Sequence, residues 1–203
     1  GTVELNGKSI EGKSVFEIRQ MGMALIPEDR MIHGAAGEMS ICDNIISDRY
    51  FKPGYKKGMF INKKYIESVA DEYIKEFQIA CDNKKQAVRY LSGGNIQKVV
   101  VAREFTTGGN FIVANQPTRG IDVGAAEMIR KAIVRKSREE GTATLLISAD
   151  LNEVLGCSDK LFVMRKGKIV AVFPKASEVS EAELGEYMLG LKTMTEKDME
   201  GLL

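Results

Sequence analysis

Apolar residues recur along this chain at spacings that predict alternating helices and strands. Between residues 66 and 77 they fall three and four positions apart, the spacing of one face of an α-helix: Ile66, Val69, Ala70, Tyr73, Ile74 and Phe77. Short apolar runs predict buried strands at residues 23–26, 111–114 and 144–148. Further helices are predicted at residues 93–105, 125–138 and 182–191. Because helices alternate with strands from residue 93 onward, we expect an α/β fold with a mainly parallel sheet.

Two turn signals predict hairpin-like reversals at either end of the chain. The dipeptide Asn-Gly at residues 6–7 closes a short strand at residues 2–5. The tripeptide Arg-Lys-Gly at residues 165–167 separates apolar strands at residues 161–164 and 168–173. That arrangement is typical of a two-stranded antiparallel hairpin.

The remaining segments set the expected domain organisation. Residues 28–90 are mostly loops and helical pieces, so we expect an inserted helical subdomain there. We expect this subdomain to lie within a single domain that spans residues 1–203. The polar residues 193–203 predict a flexible tail.

Composition and charge narrow the possible functions. The chain has 203 residues, 44% hydrophobic and 28% charged, which is typical of a globular protein. Its 29 basic and 28 acidic side chains nearly cancel, so no global charge field favours a nucleic-acid partner. The single histidine, His33, nearly excludes a multi-histidine metal centre, and the scattered Cys42, Cys81 and Cys157 favour reduced thiols over disulfides or a zinc site. No apolar run approaches the ~20 residues of a membrane span.

Residues 7–14, Gly-Lys-Ser-Ile-Glu-Gly-Lys-Ser, satisfy the phosphate-loop pattern G-x-x-x-x-G-K-[ST]. In a working phosphate loop, backbone N–H groups wrap the phosphates, the lysine reaches them, and the Ser/Thr hydroxyl holds Mg²⁺. This chemistry needs a buried strand before the loop and a helix directly after it. Here Glu4 and Asn6 interrupt the strand and Gly22 ends the helix early. We therefore predict that residues 7–14 form a polar turn and do not bind a nucleotide.

The strongest chemical signal is Leu-Ser-Gly-Gly-Asn-Ile-Gln-Lys at residues 91–98. Its two glycines let backbone N–H groups approach a phosphate closely, and the helix that follows directs its positive end at the anion. The segment resembles the LSGG-x-Q signature loop of ATP-binding cassette (ABC) ATPases. The resemblance implies that Ser92, Gly93, Gly94 and Gln97 serve a nucleotide held by the opposite domain of a dimer, at its γ-phosphate.

The resemblance continues on both sides of the signature loop and covers essentially residues 1–190. Residues 111–122, Phe-Ile-Val-Ala-Asn-Gln-Pro-Thr-Arg-Gly-Ile-Asp, occupy the place of the Walker B strand, the catalytic glutamate and the D-loop, with Asp122 in the D-loop. Upstream, Ile-Pro-Glu-Asp-Arg at residues 26–30 resembles the Q-loop region, with Glu28 at the position usually held by glutamine. Downstream, residues 148–154 resemble the switch-histidine segment.

Three functional positions depart from the pattern of the family. Asn115 stands where an aspartate would anchor the Mg²⁺ shell, and Gln116 stands where a glutamate would orient or deprotonate the attacking water. Neither amide carries negative charge or takes a proton at neutral pH. Ala149 stands where a histidine would contact the γ-phosphate. We therefore expect a degenerate nucleotide site in this domain and an intact signature that serves a partner's site.

The resemblance is closest to the C-terminal cassette of tandem ATPase subunits from sugar and nucleoside importers, and the Gln-Pro-Thr-Arg-Gly segment favours the nucleoside type. It implies an ABC-type ATPase that uses ATP and Mg²⁺ in the complete transporter. The implied partners are a second nucleotide-binding domain, transmembrane permease subunits and, indirectly, a substrate-binding protein. The implied location is peripheral, at the cytoplasmic face of the cell membrane. Two alternatives stay open: a soluble ABC protein of translation or DNA maintenance, and a catalytically dead docking module.

The order of the motifs predicts which strand of the family's domain the first residues form. The strand that begins at Thr2 matches the strand that follows the phosphate-loop helix in this family. The resemblance therefore implies one nucleotide-binding domain over residues 1–203 that is incomplete at its N-terminus, where the Walker A segment is absent. It also implies that residues 28–90 contain the Q-loop region together with the helical subdomain. The 203-residue chain by itself is predicted to fold, and to neither bind ATP tightly nor hydrolyse it.

Two further features have simpler interpretations. His33 lies between Ile32 and Gly34 in a predicted loop, where a solvated histidine is far more common than a catalytic one. The basic and aromatic residues 51–57 could in principle stack on single-stranded nucleic acid. We interpret them as an exposed loop of the helical subdomain.

Overall fold

The computed structural model describes residues 1–202, which divide into two compact units. The first unit is Gly1–Ile147 and the second begins at Ser148. Each unit has its own hydrophobic core. The single domain that we expect over residues 1–203 stays a prediction.

The first unit contains seven strands, five α-helices and a π-helical turn at Arg30–Gly34 among its described elements. The strands are β1 (Glu4–Leu5), β2 (Lys8–Ser9), β3 (Met23–Ile26), β4 (Lys56–Lys57), β5 (Phe60–Ile61), β6 (Phe111–Asn115) and β7 (Ala143–Ile147). The helices are α1 (Val15–Gln20), α2 (Ile41–Ile46), α3 (Lys63–Glu76), α4 (Gly93–Phe105) and α5 (Val123–Glu140).

A three-stranded parallel sheet organises the first unit, in the order β3-β6-β7. Leu25 of β3 lies opposite Val113 of β6, which lies opposite Leu145 of β7. The alternate residues on the other face, such as Ile26 and Ile112, are buried in the core. The parallel sheet predicted from the apolar runs is confirmed.

Helix α4 is the central helix of this unit. Four consecutive residues in its middle are fully buried: Val99, Val100, Val101 and Ala102. A helix that is apolar around its whole circumference must be buried on all sides. Because α4 contacts α2, α5 and β3, the position of its N-terminus is fixed by the core.

Residues 28–90 share the core of the sheet and belong to the first unit. They include the π-helical turn, α2, α3 and a small hairpin formed by β4 and β5. Ile41, Ile66 and Val88 from this segment lie in the same core cluster as Ile26 and Ile112 from the sheet. The predicted helices of this segment are present, and the short β4–β5 hairpin was not predicted.

The second unit consists of a hairpin and three helices among its described residues. Its elements are α6 (Leu151–Cys157), β8 (Leu161–Arg165), β9 (Lys168–Phe173), α7 (Glu181–Leu189) and α8 (Glu196–Glu200). Strands β8 and β9 are antiparallel, and Lys166 and Gly167 between them have φ values of 50° and 77°. Two successive positive φ values are the mark of a type I′ hairpin turn. The predicted hairpin is confirmed.

The predicted flexible tail at residues 193–203 contains structure that the sequence did not indicate. The N–H of Met194 donates to the carbonyl of Val170 at 2.9 Å. Helix α8 follows, and Thr195 and Asp198 cap its start reciprocally. The tail is thus partly helical, because a capping box outweighs its polar composition. Leu203 lies outside the described residues.

No helix in residues 1–202 is long and apolar enough to cross a membrane.

Candidate nucleotide-contact site

The literal phosphate-loop match at residues 7–14 folds as a hairpin followed by a capped turn. Asn6 and Gly7 have φ values of 52° and 70° and connect β1 to β2, so Lys8 and Ser9 lie in a strand. Ser14 caps α1 in a reciprocal pair with Glu17. A backbone paired in a strand cannot wrap its N–H groups around a phosphate. This geometry agrees with our prediction of a polar turn.

The signature segment forms the N-terminus of α4. Ser92 is the N-cap residue, and its Oγ accepts from the Asn95 N–H at 3.4 Å and from Asn95 Nδ2 at 2.9 Å. The Ser92 oxygen therefore accepts two hydrogen bonds, both from Asn95. Gly93 and Gly94 occupy the first two positions of α4, where N–H groups have no partner inside a helix. These donors fit a phosphate group presented from outside the chain.

Both signature glycines are in close contact with side chains from other segments. A β-carbon on Gly93 would lie 2.7 Å from Arg30 Nη2. A β-carbon on Gly94 would lie 2.7 Å from Asp122 Oδ2 and 3.1 Å from the β-carbon of Ala125. The two glycines therefore serve packing inside this chain as well as access to a ligand.

Gln97 occupies a different place from the one expected for a direct nucleotide contact. Its side chain is buried, and Nε2 donates to the carbonyl of Pro117 at 2.8 Å. A contact with a nucleotide would require this buried bond to break. The burial therefore favours a positioning role, in which Gln97 ties α4 to the segment between β6 and α5.

Asn115 and Gln116 lie at the carboxyl end of β6, the edge where parallel α/β sheets bind ligands. The Gln116 N–H donates to the carbonyl of Ile147 at 2.7 Å, and Gln116 has a φ of 51°. The backbone thus holds both side chains at the site edge. Their amides offer no negative charge there. Within residues 1–202, no cluster of histidine, cysteine and carboxylate side chains could hold a metal ion.

Asp122, the D-loop residue, caps the N-terminus of α5. Its Oδ1 accepts from the Ala125 N–H at 2.9 Å. Its Oδ2 is the oxygen that faces Gly94. The carboxylate therefore joins the start of α5 to the first turn of α4.

Ala149 lies in the second unit, directly before the residue that caps α6. That residue, Asp150, accepts from the Glu153 N–H at 3.1 Å. The methyl group of Ala149 is exposed and has no hydrogen-bonding capacity. It cannot supply the hydrogen bond that a switch histidine would make.

The Q-loop segment starts at the carboxyl end of β3. Glu28 forms an ion pair with Arg119. Asp29 caps the π-helical turn and accepts from the N–H groups of Met31 at 2.8 Å and Ile32 at 2.9 Å. These backbone hydrogen bonds lower the pKa of Asp29 below its ordinary value. Glu28 is thus engaged with residue 119 of the segment that precedes α5.

A groove of about 610 Å³ opens beside this segment and was not predicted. Its exposed apolar rim comes from α1, the π-helical turn and the residues on either side of α2. The exposed rim residues include Phe16, Ile32, Met39 and Tyr50, and the partly buried Phe51 lines the groove beside them. His33 also lines the groove. The contributing positions are far apart in sequence, so no local pattern could reveal the groove.

The floor of the groove is an ion network. Arg19 pairs with Asp48 at 3.1 Å and with Glu104 at 2.9 Å, and Glu104 also pairs with Arg103 at 2.8 Å. Burial alone would raise the pKa of Asp48, but the hydrogen bonds and charges of Arg49 and Arg19 outweigh it and hold that pKa below its ordinary value. The network fixes α1 against α4.

No protein-family profile matches the chain. The guanosine import ATP-binding protein NupO of Bacillus subtilis is 37% identical over 191 residues. The nucleoside import protein NupA of Lactococcus lactis is 35% identical over 190 residues, and the arabinose import protein AraG 1 of Burkholderia cenocepacia is 38% identical over 186 residues. These alignments cover 91–94% of this chain but only 36–37% of the relatives. The chain thus spans a little over a third of their length.

Solved structures show the same fold. The dimeric ATP-binding cassette MJ0796, bound to ADP and Pi, superimposes with a TM-score of 0.72 at 17% identity, covering 86% of this chain and 74% of that one. An inward-facing metal-chelate type ABC transporter gives a TM-score of 0.64 at 15% identity, covering 83% of this chain and 63% of that one.

The parallel sheet, the capped signature helix and these similarities define an ATP-binding cassette fold, the fold of the ATP-binding proteins of ABC transporters. Within that class, it resembles the ATP-binding proteins of nucleoside and sugar importers, among them NupO, NupA and AraG.

Proposed function

We propose that this chain is part of the ATP-binding subunit of an importer for nucleosides or simple sugars, and that it donates its signature loop to the ATP site of a partner domain. The observation that carries the proposal is an asymmetry between two parts of the chain. Ser92, Gly93 and Gly94 present donors at the N-terminus of α4, while Asn115 and Gln116 place uncharged amides where metal and water would be held.

Within the described residues, the side chains do not fit a Mg-ATP site of the chain's own. Residues 7–14 form a hairpin and a capped turn, so they offer no phosphate cradle. The chain also has no carboxylate at residues 115–116 and no imidazole at residue 149. We propose that the 203-residue chain alone neither holds ATP tightly nor hydrolyses it, and that the degenerate positions act in structure or regulation.

Isothermal titration calorimetry of the 203-residue chain with Mg-ATP tests this part. We expect no heat that fits a micromolar site, and a micromolar affinity would contradict the proposal. The Lys13→Ala variant is the matched control, because Lys13 is the lysine of the literal phosphate-loop match. Any binding that Lys13→Ala abolished would show that residues 7–14 hold the nucleotide after all.

We propose that a permease subunit docks on the groove, at the cytoplasmic face of the membrane. The groove has apolar side chains exposed around a charged floor: Phe16 and Ile32 are 57% and 72% exposed. Groups of exposed apolar side chains on a protein surface mark interaction sites. A substrate-binding protein would act through that permease without touching this chain.

Purification from membranes separates this function from its alternatives. Co-purification with a polytopic permease, lost in Ile32→Asp and kept in the exposed control variant Val3→Asp, is the expected result. Co-purification with ribosomes or DNA would instead support a soluble factor of translation or DNA maintenance. An assembled transporter whose ATP turnover did not depend on Gly93 would support a catalytically dead docking module.

A further inference from the structure

The side chain of Arg30 lies where three segments of the site meet. Its Nη1 donates to the carbonyl of Arg119 at 2.9 Å, and its Nη2 donates to the carbonyl of Gly120 at 3.2 Å. The same Nη2 lies 2.7 Å from the point where a β-carbon on Gly93 would stand. One guanidinium therefore contacts the first turn of the signature helix and two carbonyls of the turn before α5.

The backbone of Arg30 connects this contact to the groove. Arg30 is the first residue of the π-helical turn, and Ile32 and His33 of that turn line the groove. Glu28, two residues before Arg30, forms an ion pair with the side chain of Arg119. This ion pair is a second link between the segment and the turn at residues 119–120. The π-helical turn thus contributes backbone-adjacent residues, Ile32 and His33, to the groove wall, while the side chain of its first residue, Arg30, lies against the signature loop.

We propose that Arg30 is a positioning residue that sets the signature loop against the turn at residues 119–120. The inference rests on the proposed function, because it gives Arg30 a task in presenting Gly93 to a partner's nucleotide.

The chemistry of the contact requires an arginine. A guanidinium is planar and carries five donors in a fixed fork, so it can bond two neighbouring carbonyls at once. A lysine ammonium is a single point of charge without that fork. The two acceptors of the Arg30 guanidinium are backbone carbonyls, so the contact constrains the main chain itself. Gly93 completes the arrangement because any side chain there would push the guanidinium away from the carbonyls.

A double-mutant cycle on the 203-residue chain tests the contact independently of transport. In the wild-type background, Gly93→Ala should displace the Arg30 guanidinium and lower the urea midpoint of unfolding. In the Arg30→Met background, the same change should leave the midpoint unchanged or raise it, because alanine favours helix. The matched control is Gly185→Ala, which has open space around its β-carbon and should have the same effect in both backgrounds. An identical effect of Gly93→Ala in both backgrounds would overturn the inference.

Turnover in the assembled importer tests the positioning role. Arg30→Met removes both charged hydrogen bonds to the turn, and we expect kcat to fall about tenfold, which corresponds to about 1.4 kcal/mol of transition-state stabilisation. The KM for ATP should stay within about twofold, because in the proposed dimer the groups that hold the rest of the ATP molecule belong to the partner. Arg30→Lys should be intermediate. The control Arg135→Met removes an exposed arginine of α5 that pairs with Glu76, and should keep turnover within about twofold.

The outcomes separate this inference from the proposed function. If Gly93→Asp stops turnover while Arg30→Met leaves kcat unchanged, the inference is wrong and the proposed function stands. If Gly93→Asp leaves turnover unchanged, the proposed function fails and the presenting role of Arg30 fails with it. A rise in KM for ATP equal to the fall in kcat/KM would also overturn the positioning role, because it would place Arg30 in nucleotide binding.

Discussion

The side-chain amide of Gln97 donates a buried hydrogen bond to the carbonyl of Pro117, with 2.8 Å between nitrogen and oxygen. The bond joins α4, which carries the signature loop, to the segment that follows β6. This buried bond favours a positioning role for a residue that the family resemblance places at the nucleotide.

Replacing Gln97 should weaken the fold. In Gln97→Leu, the Pro117 carbonyl loses its buried donor, which costs about 1–3 kcal/mol. Urea unfolding monitored by circular dichroism measures the change in the free energy of unfolding. The control is Gln20→Leu, an exposed glutamine of α1, which should stay within about 0.5 kcal/mol of wild type. An unchanged free energy of unfolding in Gln97→Leu would contradict the positioning role and would favour a direct nucleotide contact by Gln97.

Gly94 should not tolerate a side chain. In Gly94→Ala, the new β-carbon would meet Asp122 Oδ2 and Ala125. Overpacking costs about 1–3 kcal/mol and the helix-propensity gain returns up to about 1 kcal/mol, so we expect a net loss of stability. Asp122→Ser keeps a capping hydroxyl on a shorter side chain and should recover part of the loss in the double variant. A double variant no more stable than Gly94→Ala would show that the Asp122 contact is unimportant.

Removing Glu104 should destabilise the first unit strongly. Its carboxylate is 1% exposed, pairs with Arg19 and Arg103, and accepts from the Leu25 N–H at 3.2 Å. Glu104→Ala leaves two arginines without this partner, and we expect a loss of about 3 kcal/mol. The control Glu76→Ala removes an exposed partner of Arg135 and should cost less than about 1 kcal/mol. Equal losses in chemical unfolding would contradict the structural role of the network.

The Asp48 carboxylate should make stability sensitive to acid. Its pKa in the folded chain is lowered, because Arg49 and Arg19 outweigh the opposing effect of burial. The stabilisation is therefore complete above the unfolded pKa, about 3.9, and is lost as the pH falls through the folded pKa. The difference in unfolding free energy between wild type and Asp48→Asn should be largest above about pH 5 and shrink below about pH 4. A difference that does not change with pH would contradict this assignment.

The sequence predicted the regular elements well, because their signals are local. The spacing of Ile66, Val69 and Ala70 predicted α3, and the run at residues 23–26 matches β3. Capping also acts over three or four residues, and the capping box at Thr195 and Asp198 starts a short helix in a tail whose polar composition predicts flexibility.

The site was predictable only in part, because many of its contacts join residues that are distant in the sequence. The signature loop is a contiguous motif, so Ser92 and Gly93 could be assigned to it directly. The contacts of Gln97 with Pro117 and of Arg30 with Gly120 join residues 20 and 90 positions apart. Contacts of this kind depend on how α4 packs in the core, and no spacing rule encodes them. The groove was missed for the same reason.

ATP turnover by two variants of the assembled importer tests the central claim most directly. Gly93→Asp places a side chain and a negative charge at the signature loop that we propose faces a partner's phosphates, and it should reduce hydrolysis to near background. Gln116→Ala changes a position that carries no catalytic carboxylate, and it should leave turnover close to wild type. Equal effects of the two substitutions would contradict the claim that this chain donates its signature while its own site is degenerate.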